Sequence, residues 1–329
     1  MTQRPRCVLF ATDLHGRRSA YDELMDLACE RDAGAVLFGG DLLPHPDPDD
    51  LVGVQTAFVD EALTPWLGEL AERRPGTPVF AVPGNDDWGH AFDRLCARAP
   101  DNFKSIHRTT ARWSDWTLAG YGCVPITPFF MADFDRRDSD GWQPQIPPGL
   151  TLVTNSNGEV ETPDGYFETV ATIEAEFSPV AAGAVGERAL WITHSPPHAT
   201  ALDRLGDGTA VGSAAVRTLI ERHRPAVTLH GHIHESPRVS GRIADRVGHT
   251  LSVNPGPSLA GLRAVEIDLD DPHAEPRTFG SGFDEECPHG TEMPPDERRP
   301  EQTAQDAPQR ASGRGGRRQR AETEPGEHS

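Results

Sequence analysis

The sequence predicts an α/β fold built on a mostly parallel sheet. Five short apolar runs, bounded by Gly, Pro and polar residues, are typical of strands that are buried on both faces. Segments with helical spacing of apolar residues separate these runs, and strands that alternate with helices indicate βα units. The runs occupy residues 7–11, 35–38, 79–82, 189–192 and 226–229.

Three segments between the runs have the periodicity of helices. Ser19 is a suitable N-cap for the first helix, since its side chain can accept from the first turn. The second covers residues 52–74, where Pro65 must kink or split it because proline has no N–H to donate. Ser213 is placed to cap the third, which ends before Pro225. This alternation favours a parallel arrangement of the strands.

Length and composition exclude several classes of protein. The chain has 329 residues, enough to bury a large core, and a net charge of −20. Non-specific binding to nucleic acid or to an anionic membrane needs a basic face, so we expect neither. The 5 cysteines form no C-x-x-C pair, which argues against a disulfide framework or a zinc knuckle. With no signal peptide and no apolar stretch of about 18 residues, we expect a cytoplasmic protein.

The composition also divides the chain. We expect one folded domain over residues 1–270, with a loop-rich insertion at about residues 124–188 and a disordered polar tail over residues 271–329. The insertion is rich in proline, and long loops inside enzymes are often lids or substrate walls. A tolerated surface insertion is the alternative. The tail has too few apolar residues to offset the entropy of ordering it.

Side chains that bind metal ions follow directly after the five apolar runs. In open α/β sheets, ligands bind at the carboxyl ends of the strands. Carboxylate and imidazole together suit Mn, Fe or Zn better than Ca, which prefers oxygen ligands alone. We therefore predict a site for cations at this rim, and for two of them. The candidate ligands are Asp13, His15, Asp41, Asn85, His194, His232 and His234.

The order of these motifs resembles the calcineurin-like metallophosphoesterase superfamily, although each motif alone is weak. The family pattern D-x-H, G-D, G-N-x-D/E, H and G-H-x-H is found as Asp13-Leu14-His15, Gly40-Asp41, Gly84-Asn85-Asp86-Asp87, His194 and Gly231-His232-Ile233-His234. The resemblance covers about residues 7–270, so residues 1–270 would be the catalytic domain. His194-Ser195-Pro196-Pro197 and Asn254-Pro255-Gly256 are similar to the bacterial and archaeal branch related to cyclic-nucleotide phosphodiesterases.

The resemblance implies a four-layer αββα sandwich with a dinuclear centre. By similarity, the first cation is held by Asp13, His15, Asp41 and His234, and the second by Asp41, Asn85, His194 and His232. Two divalent cations about 3.5–4 Å apart activate a bridging hydroxide for in-line attack on phosphorus. Mn, Fe, Zn or Ni would serve, and the substrate would be a small phosphorylated molecule. The oligomeric state is not indicated.

Asp86 departs from the family pattern, and with Asp41 and Asn85 it is a candidate catalytic residue. Many members have a histidine at this position, where it acts on the leaving group. A carboxylate beside two dications stays ionised, so it is a poor proton donor and repels a phosphate dianion. We therefore expect a phosphodiesterase. The alternatives are a nucleotide or phosphoprotein phosphomonoesterase and, from another class, a non-catalytic binding scaffold.

Two further residues are candidates for contact with the substrate. Arg17 follows the first motif at a helix start, where a guanidinium can reach phosphate oxygens. A solvated surface arginine is the alternative. His198 follows a Pro-Pro turn and is a candidate for lining the pocket, with an ordinary structural histidine as the alternative. Asp87 is expected to support the ligands, and His230, on the opposite face, to be packed in the interior or to support a ligand.

Overall fold

The computed structural model describes residues 7–144, 146–258 and 261–283. The strands are β1 Cys7–Ala11, β2 Ala35–Phe38, β3 Val79–Ala81, β4 Phe103–Ser105, β5 Thr109–Trp113, β6 Trp116–Tyr121, β7 Val124–Pro125, β8 Asp135–Arg136, β9 Val153–Thr154, β10 Val160–Glu161, β11 Ala189–Thr193, β12 Val227–Leu229, β13 Ala244–Val247, β14 Thr250–Val253, β15 Ala264–Asp268 and β16 Arg277–Phe279. The helices are α1 Arg18–Glu30, α2 Gly53–Phe58, α3 Thr64–Arg73, α4 Gly89–Arg98, α5 Tyr166–Thr169, α6 Ile173–Ala182, α7 Ala214–His223 and α8 Ser236–Ser240. Single turns of other helix types lie at Val59–Leu63, Gly186–Arg188 and Ser281–Phe283.

Two central six-stranded sheets are flanked by helices. In the first sheet, with the order β16-β15-β1-β2-β3-β4, strands β1 to β4 are parallel, and β15 and β16 are antiparallel additions. In the second, with the order β13-β14-β12-β11-β6-β5, the four inner strands are parallel and both edges antiparallel. The predicted four-layer αββα sandwich is confirmed.

The side chains of β1 point alternately into two different cores, which explains why the apolar runs in the sequence are continuous. Val8 and Phe10 join the core between the two sheets, whereas Leu9 and Ala11 join the core under the helices. Successive side chains of a strand point to opposite faces, so a strand between two layers needs an apolar residue at every position. The five predicted runs correspond to β1, β2, β3, β11 and β12.

A π-helical turn that ends two residues before Pro65 divides the long helical segment into α2 and α3. The chain passes from α2 through a π-helical turn, Val59–Leu63, and Pro65 lies in the first turn of α3. Proline is tolerated there because the first N–H groups of a helix have no partner within it. Within the described ranges, no helix has both the length and the apolarity to cross a membrane.

The insertion is shorter than the predicted residues 124–188. Helix α6 buries Ile173 and Phe177 and packs on β6 and α7, so it belongs to the outer helical layer. Pro179 lies inside this helix and hides it from sequence analysis, since proline is read as a helix breaker. The part that stands apart from the two main sheets is residues 124–172, with β7 to β10 and α5.

Two carboxylates fasten this segment to the domain. Asp133 accepts the N–H of Gly89, at the start of α4, at 2.7 Å. Asp138 accepts the N–H groups of Ala214 and Ala215, at the start of α7, at 2.9 and 3.0 Å. Carboxylates are favourable at helix N-termini because the first N–H groups need acceptors and the helix dipole is positive there. The segment is therefore attached to the starts of α4 and α7.

Asp135, in the same segment, makes stability depend on pH. Burial raises the pKa of this carboxyl from 3.8 to about 7, although the backbone and hydroxyl of Thr127 donate to it. The unfolded chain therefore releases the proton first. The stability present below pH 3.8 is lost progressively as the pH rises to about 7.

We expect Asp135→Asn to remove this loss, since the amide oxygen can still accept from Thr127. Its melting temperature should exceed that of the wild type more at about pH 8 than at about pH 5, by about 2–4 °C per kcal/mol regained. Thermal unfolding at both pH values measures this gain, with Asp140→Asn as the exposed control. An equal loss of stability at both pH values would contradict the assignment.

The folded region extends past the predicted boundary at residue 270. Arg277–Phe279 forms β16 on the edge of the first sheet, and Glu23 accepts from the backbone and hydroxyl of Ser281 at 2.6 and 2.9 Å. A three-residue edge strand has too little alternation to be detected in the sequence. The predicted disorder is therefore wrong for residues 271–283, and residues 284–329 lie outside the described residues.

Truncation tests the revised boundary. A chain that ends after Asp270 loses β16 and the Glu23 contacts, each hydrogen bond contributing about 0.5–1.5 kcal/mol. We expect its melting temperature to fall by at least about 4 °C. A chain that ends after Glu286 should keep the wild-type value. Equal melting temperatures for the two truncated chains would show that β16 does not stabilise the domain.

Candidate metal centre

The predicted ligands meet at one rim of the two sheets. They lie in the loops that follow β1, β2, β3, β11 and β12, which are all parallel strands of their sheets. Asp13 and His194 are 0% exposed and Asp41 is 2% exposed. Nε2 of His194, which follows a strand of the second sheet, lies 3.3 Å from Oδ2 of Asp41, which follows a strand of the first. The rim therefore combines ligands from both sheets.

One group of four side chains is compact enough to hold a cation. One ligand atom each from Asp13, His15, Asp41 and His234 lies within 4.8 Å of the other three. His234 Nε2 is 3.4 Å from Asp13 Oδ1 and 3.3 Å from His15 Nε2. This is the set that the family resemblance implies for the first cation.

A second group shares Asp41 with the first. His194 Nε2 lies 3.3 Å from Asp41 Oδ2, and the rings of His194 and His232 have centroids 5.3 Å apart. His15 Nε2 is 4.0 Å from the same Oδ2. The other oxygen, Oδ1, accepts the backbone N–H of Asp86 at 2.8 Å. Asp41 Oδ2 therefore faces both groups.

Unsatisfied buried atoms show that the centre fits cations. Asp13 Oδ2, Asn85 Oδ1 and His194 Nε2 are buried and have no hydrogen-bond partner within the described part of the chain. Buried polar atoms in native proteins almost always have a partner. Divalent ions at the rim would satisfy all three atoms, and carboxylate, amide and imidazole are suitable donors for such ions.

The glycines of the motifs make room for this packing. A Cβ on Gly40 would lie 2.5 Å from His194 Nδ1, and one on Gly84 would lie 2.6 Å from His194 Nε2. A Cβ on Gly231 would lie 2.5 Å from Asp13 Oδ2. The pairs Gly-Asp, Gly-Asn and Gly-His thus have a steric cause. The ligands can approach one another only where the preceding residue has no side chain.

Four of the predicted ligands have a left-handed backbone. The φ angles are 56° at Asp13, 45° at His15, 52° at Asp41 and 68° at His232. This conformation is uncommon for residues with a Cβ, costs on the order of 1–3 kcal/mol each, and is found in clusters at functional sites. The loops are therefore held in conformations that turn these side chains to the rim.

Burial and ion pairing determine the protonation of the imidazoles. Burial opposes the charge on His194 and His234, yet the nearest carboxylates raise the pKa of each to about 9. Burial lowers the pKa of His15 to about 4 and that of His232 to about 3. The carboxylates of the centre thus attract positive charge strongly enough to overcome burial at two of the four rings.

Hydrogen bonds behind the ligands fix their orientation. His194 donates from Nδ1 to the carbonyl of Gly39 at 2.7 Å, which leaves Nε2 toward Asp41. Asp87 accepts the N–H groups of Leu42 and Gly84 at 3.0 and 2.9 Å. Asp87 therefore ties the loop after β2 to the loop after β3, in the supporting role that the sequence predicts.

Asn254 holds the last motif, a role that sequence analysis did not assign. Its Nδ2 donates to the carbonyls of Gly231 and Ile233 at 3.2 and 3.3 Å, on either side of His232. His230 is 0% exposed and lies 2.9 Å from the hydroxyl of Thr193, so its predicted place in the interior is confirmed. These contacts fix the loop that carries two of the ligands.

Asp86 lies behind the ligands. It is 4% exposed, and its Oδ1 accepts from Asn85 Nδ2 at 2.9 Å, which orients the amide so that its oxygen is on the other side. Its Oδ2 lies 3.2 Å from Nδ1 of His45 and 4.0 Å from Nδ1 of His15. The sequence analysis placed this charge toward the substrate, whereas the structure pairs it with neighbouring side chains.

The two predicted substrate contacts differ from the ligands in their surroundings. Arg17 donates to the carbonyls of Leu14 and Asp13 at 3.2 and 3.4 Å, so it braces the first loop. His198 lies 3.5 Å from buried Asp203, against the loop before α7. Contact of either residue with substrate remains a prediction.

Sequence analysis missed His45. Its side chain is 56% exposed, and its ring stacks on that of His15 with centroids 4.4 Å apart. His15, His45 and Asp86 form a further cluster, distinct from the two ligand groups although it shares His15 with the first, and its ligand atoms lie within 4.8 Å of one another. The sequence did contain an indication that His45 lies at the site. It comes four residues after Asp41, between two prolines, in a loop already assigned to the rim.

Two facing sheets flanked by helices carry Asp, His and Asn side chains at a shared rim, which is the arrangement of a metal-binding site. The sequence profile of the calcineurin-like phosphoesterases matches residues 8–236, and the chain belongs to that family. It is therefore a metallophosphoesterase, an enzyme that hydrolyses phosphoester bonds, and its family depends on a dinuclear metal centre. No curated protein matches the chain.

Several solved structures are similar to the chain at low sequence identity. A protein of Thermus thermophilus is 18% identical with a TM-score of 0.51, covering 84% of this chain and 98% of that one. A dimetal phosphatase from Danio rerio is 11% identical with a TM-score of 0.47, covering 84% and 99%. An archaeal phosphodiesterase is 12% identical with a TM-score of 0.41, covering 83% and 99%. The first of these shows a shared fold.

Proposed function

We propose that the protein is a phosphodiesterase that acts on a small phosphorylated substrate with two divalent cations. The first cation would be held by Asp13, His15, Asp41 and His234, and the second by Asp41, Asn85, His194 and His232. The observation that carries the proposal is the position of Asp41 Oδ2, which faces both groups. One carboxylate oxygen between two ligand sets is suited to bridge two cations.

The chain's residues would position the reacting groups. A pair of bound divalent ions lowers the pKa of a water molecule and neutralises the phosphoryl oxygens, which favours in-line displacement at phosphorus. Asp87 fixes the loops of Asp41 and Asn85 to each other, and Asn254 fixes the loop of His232. Rigid placement of this kind lowers the barrier because phosphoryl transfer depends mostly on positioning and electrostatics.

The charge around the centre favours a singly charged diester. Asp86 is not one of the proposed ligands, yet its carboxylate lies 4.0 Å from Nδ1 of the ligand His15. Additional negative charge beside the centre disfavours a dianionic monoester more than a monoanionic diester. Mixed oxygen and imidazole donors suit Mn, Fe, Zn or Ni as the cations.

A substrate panel tests this proposal. Linear and cyclic phosphodiesters, phosphomonoesters and pyrophosphates are assayed with Mn²⁺, Mg²⁺, Zn²⁺ and Ni²⁺. We expect kcat/KM to be higher for diesters than for monoesters with the same leaving group. A preference for monoesters would make the protein a nucleotide or phosphoprotein phosphatase instead.

A further inference from the structure

We propose that His45, oriented by Asp86, is a catalytic residue that donates a hydrogen bond to the leaving-group oxygen of the substrate. This inference rests on the proposed function and adds a residue that none of the metal-binding motifs contains. It is carried by the position of His45 beside the centre, by the attachment of its loop and by its pairing with Asp86.

His45 lies at the open side of the centre. Its ring stacks on that of His15, with centroids 4.4 Å apart and an interplanar angle of 22°. His15 is nearly buried, with a side-chain exposure of 9%, whereas His45 is 56% exposed. His45 therefore lies on the solvent side of His15, one of the proposed metal ligands.

Asp86 orients this ring. Nδ1 of His45 lies 3.2 Å from Oδ2 of Asp86, a buried carboxylate whose other oxygen is bonded to Asn85. In a protonated imidazole both nitrogens carry hydrogen, so an Nδ1–H that donates to a carboxylate leaves the Nε2–H as a donor on the far side of the ring. The same carboxylate therefore sets both the amide of Asn85 and the direction of Nε2 of His45.

The loop that carries His45 is fixed on two sides. Buried Gln55 donates from Nε2 to the carbonyls of Pro44 and Asp86 at 2.9 and 2.6 Å, so it joins the two loops. The Pro44 ring packs against Gly16, where a Cβ would lie 2.8 Å from it. Because Gly16 follows His15, this contact also sets the distance between His45 and the centre.

This geometry assigns His45 a defined step. As water oxygen forms its bond to phosphorus, the bond from phosphorus to the leaving-group oxygen breaks, and that oxygen departs with the electron pair. A donor at the open side stabilises the negative charge that develops on this oxygen. Asp86 acts through His45 as a positioning residue. This division of roles explains how a chain with aspartate at position 86 can assist a basic leaving group.

The test compares His45→Ala with the wild type on esters that differ only in the leaving group. For an alkyl phosphodiester we expect kcat/KM to fall by about 10²-fold, the effect of removing one preorganised donor. For a nitrophenyl diester, whose leaving group needs little help, we expect a fall of less than about fivefold. His45→Gln keeps an N–H donor and should regain part of the loss on the alkyl ester.

Two further measurements on His45→Ala exclude other roles for this residue. Metal content of His45→Ala should equal that of the wild type, and its Kd for inorganic phosphate, which has no leaving group, should stay within about twofold. Lost metal would overturn the proposal by making His45 a ligand. Phosphate binding weakened as much as kcat/KM would overturn it by making His45 a general phosphate contact. Equal losses on both diesters would also overturn it.

Matched variants complete the design. His249→Ala alters an exposed histidine in the turn between β13 and β14, at the opposite end of the second sheet, and should behave as wild type. Asp86→Asn should show the same selective loss on the alkyl ester, smaller in size, and a uniform loss would contradict the positioning role. If the wild type prefers monoesters, the proposed function fails, and alkyl and nitrophenyl monoesters then test His45 in the same way.

Discussion

Replacing Asp41 with Asn lowers kcat/KM for a phosphodiester by at least about 10³-fold, if Asp41 Oδ2 lies between two cations. The substitution removes one negative charge between two dications. It leaves an oxygen that can accept from the N–H of Asp86. Asparagine also tolerates the left-handed backbone at this position, where φ is 52°. The loss would therefore arise at the metal centre, and steady-state kinetics at saturating metal measures it.

An exposed acid provides the control for this substitution. Asp101→Asn makes the same chemical change outside the site and should retain wild-type turnover. Far-ultraviolet circular dichroism of both variants should match that of the wild type. If Asp41→Asn retains most of the turnover, Asp41 does not bridge the cations.

Removing the bound metal lowers the melting temperature by at least about 8 °C. A ligand at 1,000 times its Kd stabilises a protein by about 4.1 kcal/mol per site, and each kcal/mol corresponds to about 2–4 °C. The structural reason is that buried Asp13 and Asp41 and the unsatisfied atoms of Asn85 and His194 need a cation as partner. Calorimetry of chelator-treated and metal-loaded protein measures the shift.

The increase in melting temperature on metal binding should depend on whether the metal ligands are intact. Asp101→Asn should gain as much from metal as the wild type, and Asp41→Asn should gain much less. Re-addition of metal to the stripped wild type should restore both stability and activity. Identical melting temperatures with and without metal would show that the buried carboxylates are stabilised in another way.

The position of the metal centre could be predicted from the sequence because two patterns coincide at the rim of the sheets. Continuous apolar runs mark strands that are buried on both faces, and the residue after such a strand lies at the edge of the sheet. All seven predicted ligands follow runs of this kind, and the structure brings Asp13, His15, Asp41 and His234 into one group. The helix α6 and the edge strand β16 escaped detection because one contains a proline and the other has three residues.

Side-chain direction within the rim could not be predicted. The left-handed backbone at His15 and Asp41 depends on loop contacts, and sequence periodicity gives no information on them. Asp86 was expected to face the substrate, yet a bond to Asn85 and the approach of His45 turn it inward. His45 itself lies outside every motif. Its position follows from Gln55, which joins two loops that are distant in sequence.

Electron paramagnetic resonance of the Mn²⁺-loaded protein tests the dinuclear centre most directly. Two Mn²⁺ ions that share Asp41 should be spin-coupled, with two ions bound per chain. Asp41→Asn should show uncoupled Mn²⁺ or a lower metal content. Isolated, uncoupled Mn²⁺ in the wild-type protein at full loading would contradict a centre bridged by Asp41.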